Sequence, residues 1–368
     1  MRTARTTLTA LTLIAALGSI AQADTIRATS GFGPAHVLAT DIYPEINARL
    51  KEFTGDAWDL SDTPSGLVAP QEMSAGLRDG VTEMGTLLLP YFPADYPNAA
   101  LPSELSFLGS SNAVVSAAVT EYVATCPECQ AEFARNGQVY LGTDVTPVYN
   151  LLTVRPIRSA ADVRGMRIRT GAPLYAAFVE KLGGVAVQMP SSELFESLSQ
   201  RVIDGTFSGD HEIIANRLGD VVKYVTEVNE GVFNGSTSGA VSATLWTRLD
   251  PETRSVLARA TQYGISKGLG AFMRDAAKAR EVAGVEFIPM DDTLRSAKEA
   301  FNADYLANVA STLEARGVKD AQAKVDRYRA LVEKWEKLIT PDMTPEAMGQ
   351  LRYDEIFAKL DTATYGNP

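Results

Sequence analysis

Arg167 and Arg169 alternate with Met166 and Ile168 in a run bounded by Gly165 and Gly171. In a strand, successive side chains point to opposite faces, so the two apolar residues take one side and both guanidiniums the other. A guanidinium keeps its charge when water is expelled and offers parallel donors to a carboxylate. The pair can therefore serve an acidic solute, a protein carboxylate or solvent. The other spacing with chemistry in it is Cys126-Pro127-Glu128-Cys129, which holds the only two cysteines of the chain. In an oxidising compartment C-x-x-C closes a local disulfide. A redox site is the competing reading, although no strand of a βαβ unit precedes the pair. Zinc would need two further ligands from a chain with two histidines.

Catalytic motifs fail one by one. His211-Glu212 opens like a zincin helix, but Ala215 stands where the second histidine is required. The segments 205–209 and 235–239 miss G-x-S-x-G, because Phe207 and Thr237 occupy the third position. The run 31–36 is half a dinucleotide fingerprint that ends in His36. With so few histidines for acid–base work, the chain reads as a binding protein, with no enzyme activity, cofactor or metal expected.

Compartment follows from the first residues. Arg2 and Arg5 precede the apolar run Leu8 to Ile20 and then Ala21-Gln22-Ala23, the order of a secretory leader cleaved after Ala23. The run is too short for a comfortable membrane span. The formal net charge is −11, and losing the leader with its two arginines makes the mature chain more negative still. Such a chain is repelled by nucleic acid and anionic membranes. A mature length of roughly 345 residues exceeds one ordinary core and implies two lobes.

Short strand-like runs alternate with helical ones, the signature of α/β architecture. Thr25 to Thr29, Val81 to Leu88 and Gln138 to Gly142 read as strands, as does Val148 to Val154, whose unbroken apolar character suits burial on both faces. Strands Met166 to Arg169 and Val185 to Gln188 alternate with helices 173–182 and 192–201. Beyond Trp246 most of the chain to Leu360 reads as helix, with one strand at Val285 to Ile288.

The ordered set Arg155-Pro156-Ile157, Ala161 to Arg169, Leu182-Gly183-Gly184, Val187 to Pro190, Glu193-Leu194-Phe195 and Val202 to Gly205 closely resembles the solute-binding proteins of tripartite ATP-independent periplasmic (TRAP) transporters, the DctP family. Pro64 to Leu67 and Gly80 to Met84 are similar to its first-lobe turn and strand, and Cys126 to Cys129 to an element found in part of the family. The resemblance implies a two-lobed periplasmic binding protein of type II-like α/β fold, with the ligand cleft between lobes and a helical C-terminal region. Expected boundaries are 1–23 for the signal peptide, 24–148 plus about 234–275 for lobe I, and 149–233 plus about 276–368 for lobe II. It also implies a small organic acid as solute, the small and large membrane subunits of a TRAP transporter as partners, and the periplasm as location.

Within that resemblance Arg169, closing the G-x-x-x-R strand at its C-terminal end, is the carboxylate anchor, and Arg167 the solvated arginine beside it. Asp204 is expected to fix a turn. Where many sialic-acid and dicarboxylate binders have a second arginine, this chain has Tyr149. Where the family commonly has a glutamate and an asparagine, it has Thr206-Phe207-Ser208, followed by the acidic segment Asp210-His211-Glu212. These departures favour a monocarboxylate with hydroxyl or amino groups and leave open a small amine, a zwitterion, or an ABC-type importer of the same fold. Tyr149, Ser208 and Asn234 are expected to offer hydrogen bonds, with Asp210 adding charge. Tyr91 and Phe207 are read as apolar cleft wall or as core, and Phe32 and His36 as cleft residues on the loop after the first strand.

Overall fold

Eleven short strands carry the alternation described above: β1 (Asp24–Thr29), β2 (Trp58–Asp62), β3 (Met84–Leu88), β4 (Gln138–Tyr140), β5 (Tyr149–Thr153), β6 (Arg167–Thr170), β7 (Val185–Gln188), β8 (Gly205–Gly209), β9 (Tyr224–Glu227), β10 (Ser236–Ser242) and β11 (Glu286–Pro289). They come from a computed structural model that describes residues 23–367, so the expected leader lies outside the described residues except for its last, Ala23. Two sheets result, ordered β2-β1-β3-β10-β4 and β11-β9-β5-β8-β6-β7. In the first, β1 is parallel to β2 and β3, and β10 runs antiparallel between β3 and β4. In the second, β6 is parallel to β7 and β8, while β5 runs antiparallel to β8 and β9.

The chain passes between the lobes at 141–148 and again at 228–236, and the two segments bridge to each other at Asp144–Ser236 and Val148–Val232. Helix Pro251–Ala279 starts in the first lobe, where Leu257 and Phe272 are core, and ends with Ala279 packed in the second. Asp250 caps it by accepting a hydrogen bond from the Thr253 amide, and Pro251 at its first turn needs no donor partner.

The segment expected as lobe II from about 276 to 368 divides between the two cores. β11 joins the second sheet, and helix Asp292–Ala315 spans the two cores, with Leu294 and Phe301 in one and Val309 and Leu313 in the other. Helices Ala321–Leu338 and Pro345–Glu355 then pack on the first lobe, burying Tyr328, Val332, Trp335 and Met348 in its core. The reason lies in helix Asn112–Ala124, whose alanines and valines are buried on nearly every side and need a cover on both. Helix Ala321–Leu338 provides the outer one.

Cys126 and Cys129 are joined as a disulfide at the entrance of helix Pro127–Arg135. Among the described residues no helix is long and apolar enough to cross a membrane.

Candidate functional site

Arg169 sits near the C-terminal end of β6, in register with Thr206 of β8 and Val187 of β7, and is 2 % exposed. Its Nε donates to the Met189 carbonyl at 2.8 Å and its Nη2 to the Tyr91 hydroxyl at 3.2 Å. Among the described residues Nη1 has no hydrogen-bond partner and the side chain no ion pair. Gly171 makes room for it, since a Cβ there would lie 3.3 Å from Nη1. Arg167, two residues earlier, meets solvent instead: it is half-exposed and pairs with Asp204 at 3.2 Å, and the Asp204 carboxylate also accepts the Arg167 amide at 2.8 Å.

Arg169 lines a small cavity between the lobes, together with Phe32, His36, Tyr91 and Tyr149. These five expected residues are thus brought together. A larger and more open hollow, lined also by Pro190, shares Tyr91 and Gly171 with it. Phe233 and Phe272 complete apolar walls, and polar atoms come from a few placed groups, the usual constitution of a small-molecule site.

Four expected residues lie elsewhere. Phe207 is wholly buried against Tyr175, Phe178 and the edge of Tyr149, because its face of β8 is the core face of the second lobe. Ser208 is fully buried on the opposite face, with its hydroxyl paired to that of Thr206 at 2.8 Å. Asn234 is spent on the crossing segment, its Oδ1 accepting from Ser106 Oγ and its Nδ2 donating to the Pro102 carbonyl, both at 3.0 Å. Asp210 accepts from Asn150 Nδ2 at 2.9 Å and is not part of the cavity wall. From this acidic segment it is Glu212, two residues on, that reaches the cavity, where Asp144 of the first crossing segment also lines the wall.

Glu212 opens the short helix Glu212–Ala215 and is 5 % exposed. Burial pushes its carboxyl up to about 7 against the opposing pull of Arg169 and the Asn216 amide. Its Oε2 accepts from Asn216 Nδ2, and its Oε1 lies 3.8 Å from His211 Nε2. His211 is 1 % exposed, and neither ring nitrogen has a hydrogen-bond partner. Its ring packs on Gly209, where a Cβ would lie 2.6 Å from Nδ1. His36 stacks on Phe32 at 4.4 Å, and its Nδ1 accepts from the Leu38 amide at 3.2 Å, which leaves its proton on Nε2. Burial lowers both histidines, His36 to about 3, so both are neutral at ordinary pH. Phe272 meets both rings edge-on, at 5.8 and 5.0 Å. On the crossing segments Asp144, raised to about 6 by burial, accepts from Ser236 Oγ at 2.7 Å.

The profile of the family described as bacterial extracellular solute-binding protein, family 7 (DctP), matches residues 39–307. The chain belongs to this family. A solute-binding protein of Roseobacter denitrificans is 27% identical over 170 residues, a match that spans 45% of this chain and half the length of that relative. Three solved structures have a similar fold. A TRAP periplasmic solute-binding protein from Bordetella bronchiseptica with bound (R)- and (S)-mandelate superposes with TM-score 0.74 at 21% identity, covering 84% of this chain and 99% of that one. A marine-metagenome TRAP solute-binding protein specific for aromatic acids, from an unidentified microbe and in complex with metahydroxyphenylacetate, gives 0.76 at 19%, covering 85% and 99%. DctP7, an extracytoplasmic solute receptor of Bordetella pertussis binding pyroglutamic acid, gives 0.71 at 20%, covering 83% and 100%.

In this family 7 chain, sequence reasoning passed over Asp144, Ser236, Phe233, Phe272 and the individual roles of His211 and Glu212. Asp144 and Ser236 are 92 positions apart and meet only because the two crossing segments pair. Phe272 lies mid-helix with apolar neighbours, a pattern indistinguishable from core. His211-Glu212 did carry a signal, since they belong to the acidic segment that follows the end of β8 at Gly209.

Proposed function

We propose that this family 7 protein is the periplasmic receptor of a TRAP transporter, and that it takes a small organic acid whose carboxylate docks on Arg169. The observation that carries the proposal is a guanidinium 2 % exposed, held by two neutral oxygens, with one nitrogen unpartnered at the wall of an aromatic-lined cavity. Burying a charge without a counter-ion is unfavourable, and an incoming carboxylate supplies the missing partner in bidentate geometry. The fold neighbours that hold mandelate, metahydroxyphenylacetate and pyroglutamic acid support the same class of solute. Cavity residues come from both lobes: His36, Tyr91 and Phe272 from the first, Arg169 and Glu212 from the second. A solute touching both stabilises the closed arrangement, which the membrane subunits would then receive.

The test is a thermal-shift screen of the mature protein against carboxylic acids, followed by calorimetry on wild type and Arg169→Ala. A ligand specific for the folded state raises the unfolding midpoint according to its affinity and excess. Losing a desolvated charge pair should weaken binding by about 2–5 kcal/mol. Undiminished affinity in the variant refutes the carboxylate anchor.

A further inference from the structure

Resting on that receptor reading, we propose that the solute is a zwitterion, with its carboxylate on Arg169 and an N–H-bearing cationic group received by Glu212 and His211. The cavity is lined by one guanidinium, Arg169, and two carboxylates: Asp144, which already accepts from Ser236 Oγ, and Glu212, and Arg169 pairs with neither. Arg169 contributes to no ion pair among the described residues, and Glu212 has only the neutral imidazole of His211 at 3.8 Å. A plain anionic acid would satisfy Arg169 and leave Glu212 either charged beside a second anion or forced to take a proton. A dicarboxylate would make this worse. A hydroxyl could donate once to Glu212 yet leave its charge without a counter-ion. A zwitterion matches both ends of an enclosed site in which each uncompensated charge is costly.

The donor and acceptor inventory gives an independent argument. Asn216 occupies Oε2 of Glu212, so Oε1 is the free oxygen, and it lies on the side of His211 Nε2. Nδ1 of that ring packs against Gly209, which leaves Nε2 as the nitrogen turned toward the carboxylate. Neutral imidazole has one acceptor nitrogen. In the tautomer protonated on Nδ1, Nε2 and Oε1 are two convergent acceptors, and what they lack is a group with several donors. An ammonium or iminium-type N–H₂⁺ centre is such a group, and neighbouring Phe272 presents an aromatic ring to the same corner. His211 is almost completely buried with both nitrogens unpartnered, so the protein itself offers nothing to complete this corner.

The experiment uses the mature protein with the twenty protein amino acids, aminobutyrate isomers and phenylglycine, each beside its deamino and hydroxy counterparts, read by thermal shift and then by calorimetry. At least one ammonium-bearing acid is expected to bind tenfold or more tighter than its deamino counterpart. Glu212→Gln should shrink that ratio below threefold, the ammonium-bearing acid losing affinity and the deamino acid gaining it as the competing negative charge is removed. The proposal is overturned if the strongest stabilisers lack an N–H cation, if no amino acid in the panel stabilises the protein, or if the ratio survives Glu212→Gln. Should Glu212→Gln not fold, the wild-type ratio decides alone. Arg169→Ala separates the two claims: loss of all acids without any ammonium preference sinks only the zwitterion, whereas retention of all acids sinks the receptor reading beneath it.

Discussion

Arg169 at the wall of the cleft and Arg352 in the core of the first lobe are both buried guanidiniums without an acidic partner, yet they are satisfied in different ways. Arg352 is 0 % exposed and has all three nitrogens engaged: Nε donates to Gln262 Oε1 at 3.1 Å, Nη1 to Ser116 Oγ at 2.7 Å and Nη2 to Thr120 Oγ1 at 3.0 Å. It staples helix Pro345–Glu355 to helices Pro251–Ala279 and Asn112–Ala124, and burial lowers its pKa to about 10 without discharging it near neutrality. Arg169 has two anchors and an open third nitrogen. The difference teaches how to tell a structural buried charge from a receptive one: by whether every nitrogen already has a partner within the protein.

The comparison breaks most visibly at Arg352. Arg352→Ala removes three hydrogen bonds, leaves Gln262 Oε1 buried without a partner and opens a cavity, and should lower the unfolding free energy by about 4 kcal/mol. Solute affinity of the folded fraction should stay within twofold of wild type. Denaturant titration read beside calorimetry checks both. A stable Arg352→Ala protein, or one that folds but no longer binds, would contradict the structural role given to this arginine.

The next effect concerns an acid that shares the cavity with Arg169. Glu212 ordinarily titrates near 4.5 and is raised to about 7 in the folded protein. Below its unfolded value both states are protonated, and the contribution of the neutral carboxyl to stability is fully present. As pH rises toward about 7 the unfolded chain releases the proton first, and that contribution is lost. Gln at this position never titrates. The stability difference between Glu212→Gln and wild type should therefore grow from pH 4.5 to 7 in favour of the variant and level off above, by up to about 3 kcal/mol. Subtraction cancels the other raised carboxyls, Asp62, Glu132, Asp144, Asp210 and Glu230. A difference that is flat with pH would mean that Glu212 stays ionised without penalty.

Much of this was legible in the chain because period and burial leave marks in local sequence. The strand read at Met166 to Arg169 is β6 shifted by one residue, that at Val185 to Gln188 is β7 itself, and the apolar run around Val148 to Val154 is β5, buried throughout. Alternation put Arg167 and Arg169 on one face, and only the family resemblance separated them into a buried and a solvated arginine, the settings they have here. What local sequence could not carry was which surface an amphipathic helix would cover. The apolar stripe of Ala321–Leu338 is plain, but its destination on the first lobe depends on a helix some two hundred positions earlier. For the same reason Ser208 and Asn234 were misplaced: both belong to segments beside the cleft, and each spends its polar atoms on a neighbour brought close only by folding.

The smallest effect sharpens the contrast at the level of one hydroxyl. Tyr91, half-buried on the first lobe, accepts from Nη2 of Arg169 on the second, so the anchor is oriented by the lobe opposite its own. Tyr91→Phe keeps the aromatic wall and removes only that acceptor. Because the ring is partly solvated, the stability of the unliganded protein should change by less than about 0.5 kcal/mol. Affinity for an acid should fall by about 1 kcal/mol, roughly fivefold, since Nη2 would have to find water or swing away from the carboxylate. Calorimetry with any acid that binds wild type measures this. An unchanged affinity would show that Met189 and Gly171 alone set the orientation of Arg169, whereas a loss as large as that of Arg169→Ala would make the contact between lobes, and not the charge, the dominant element of the site.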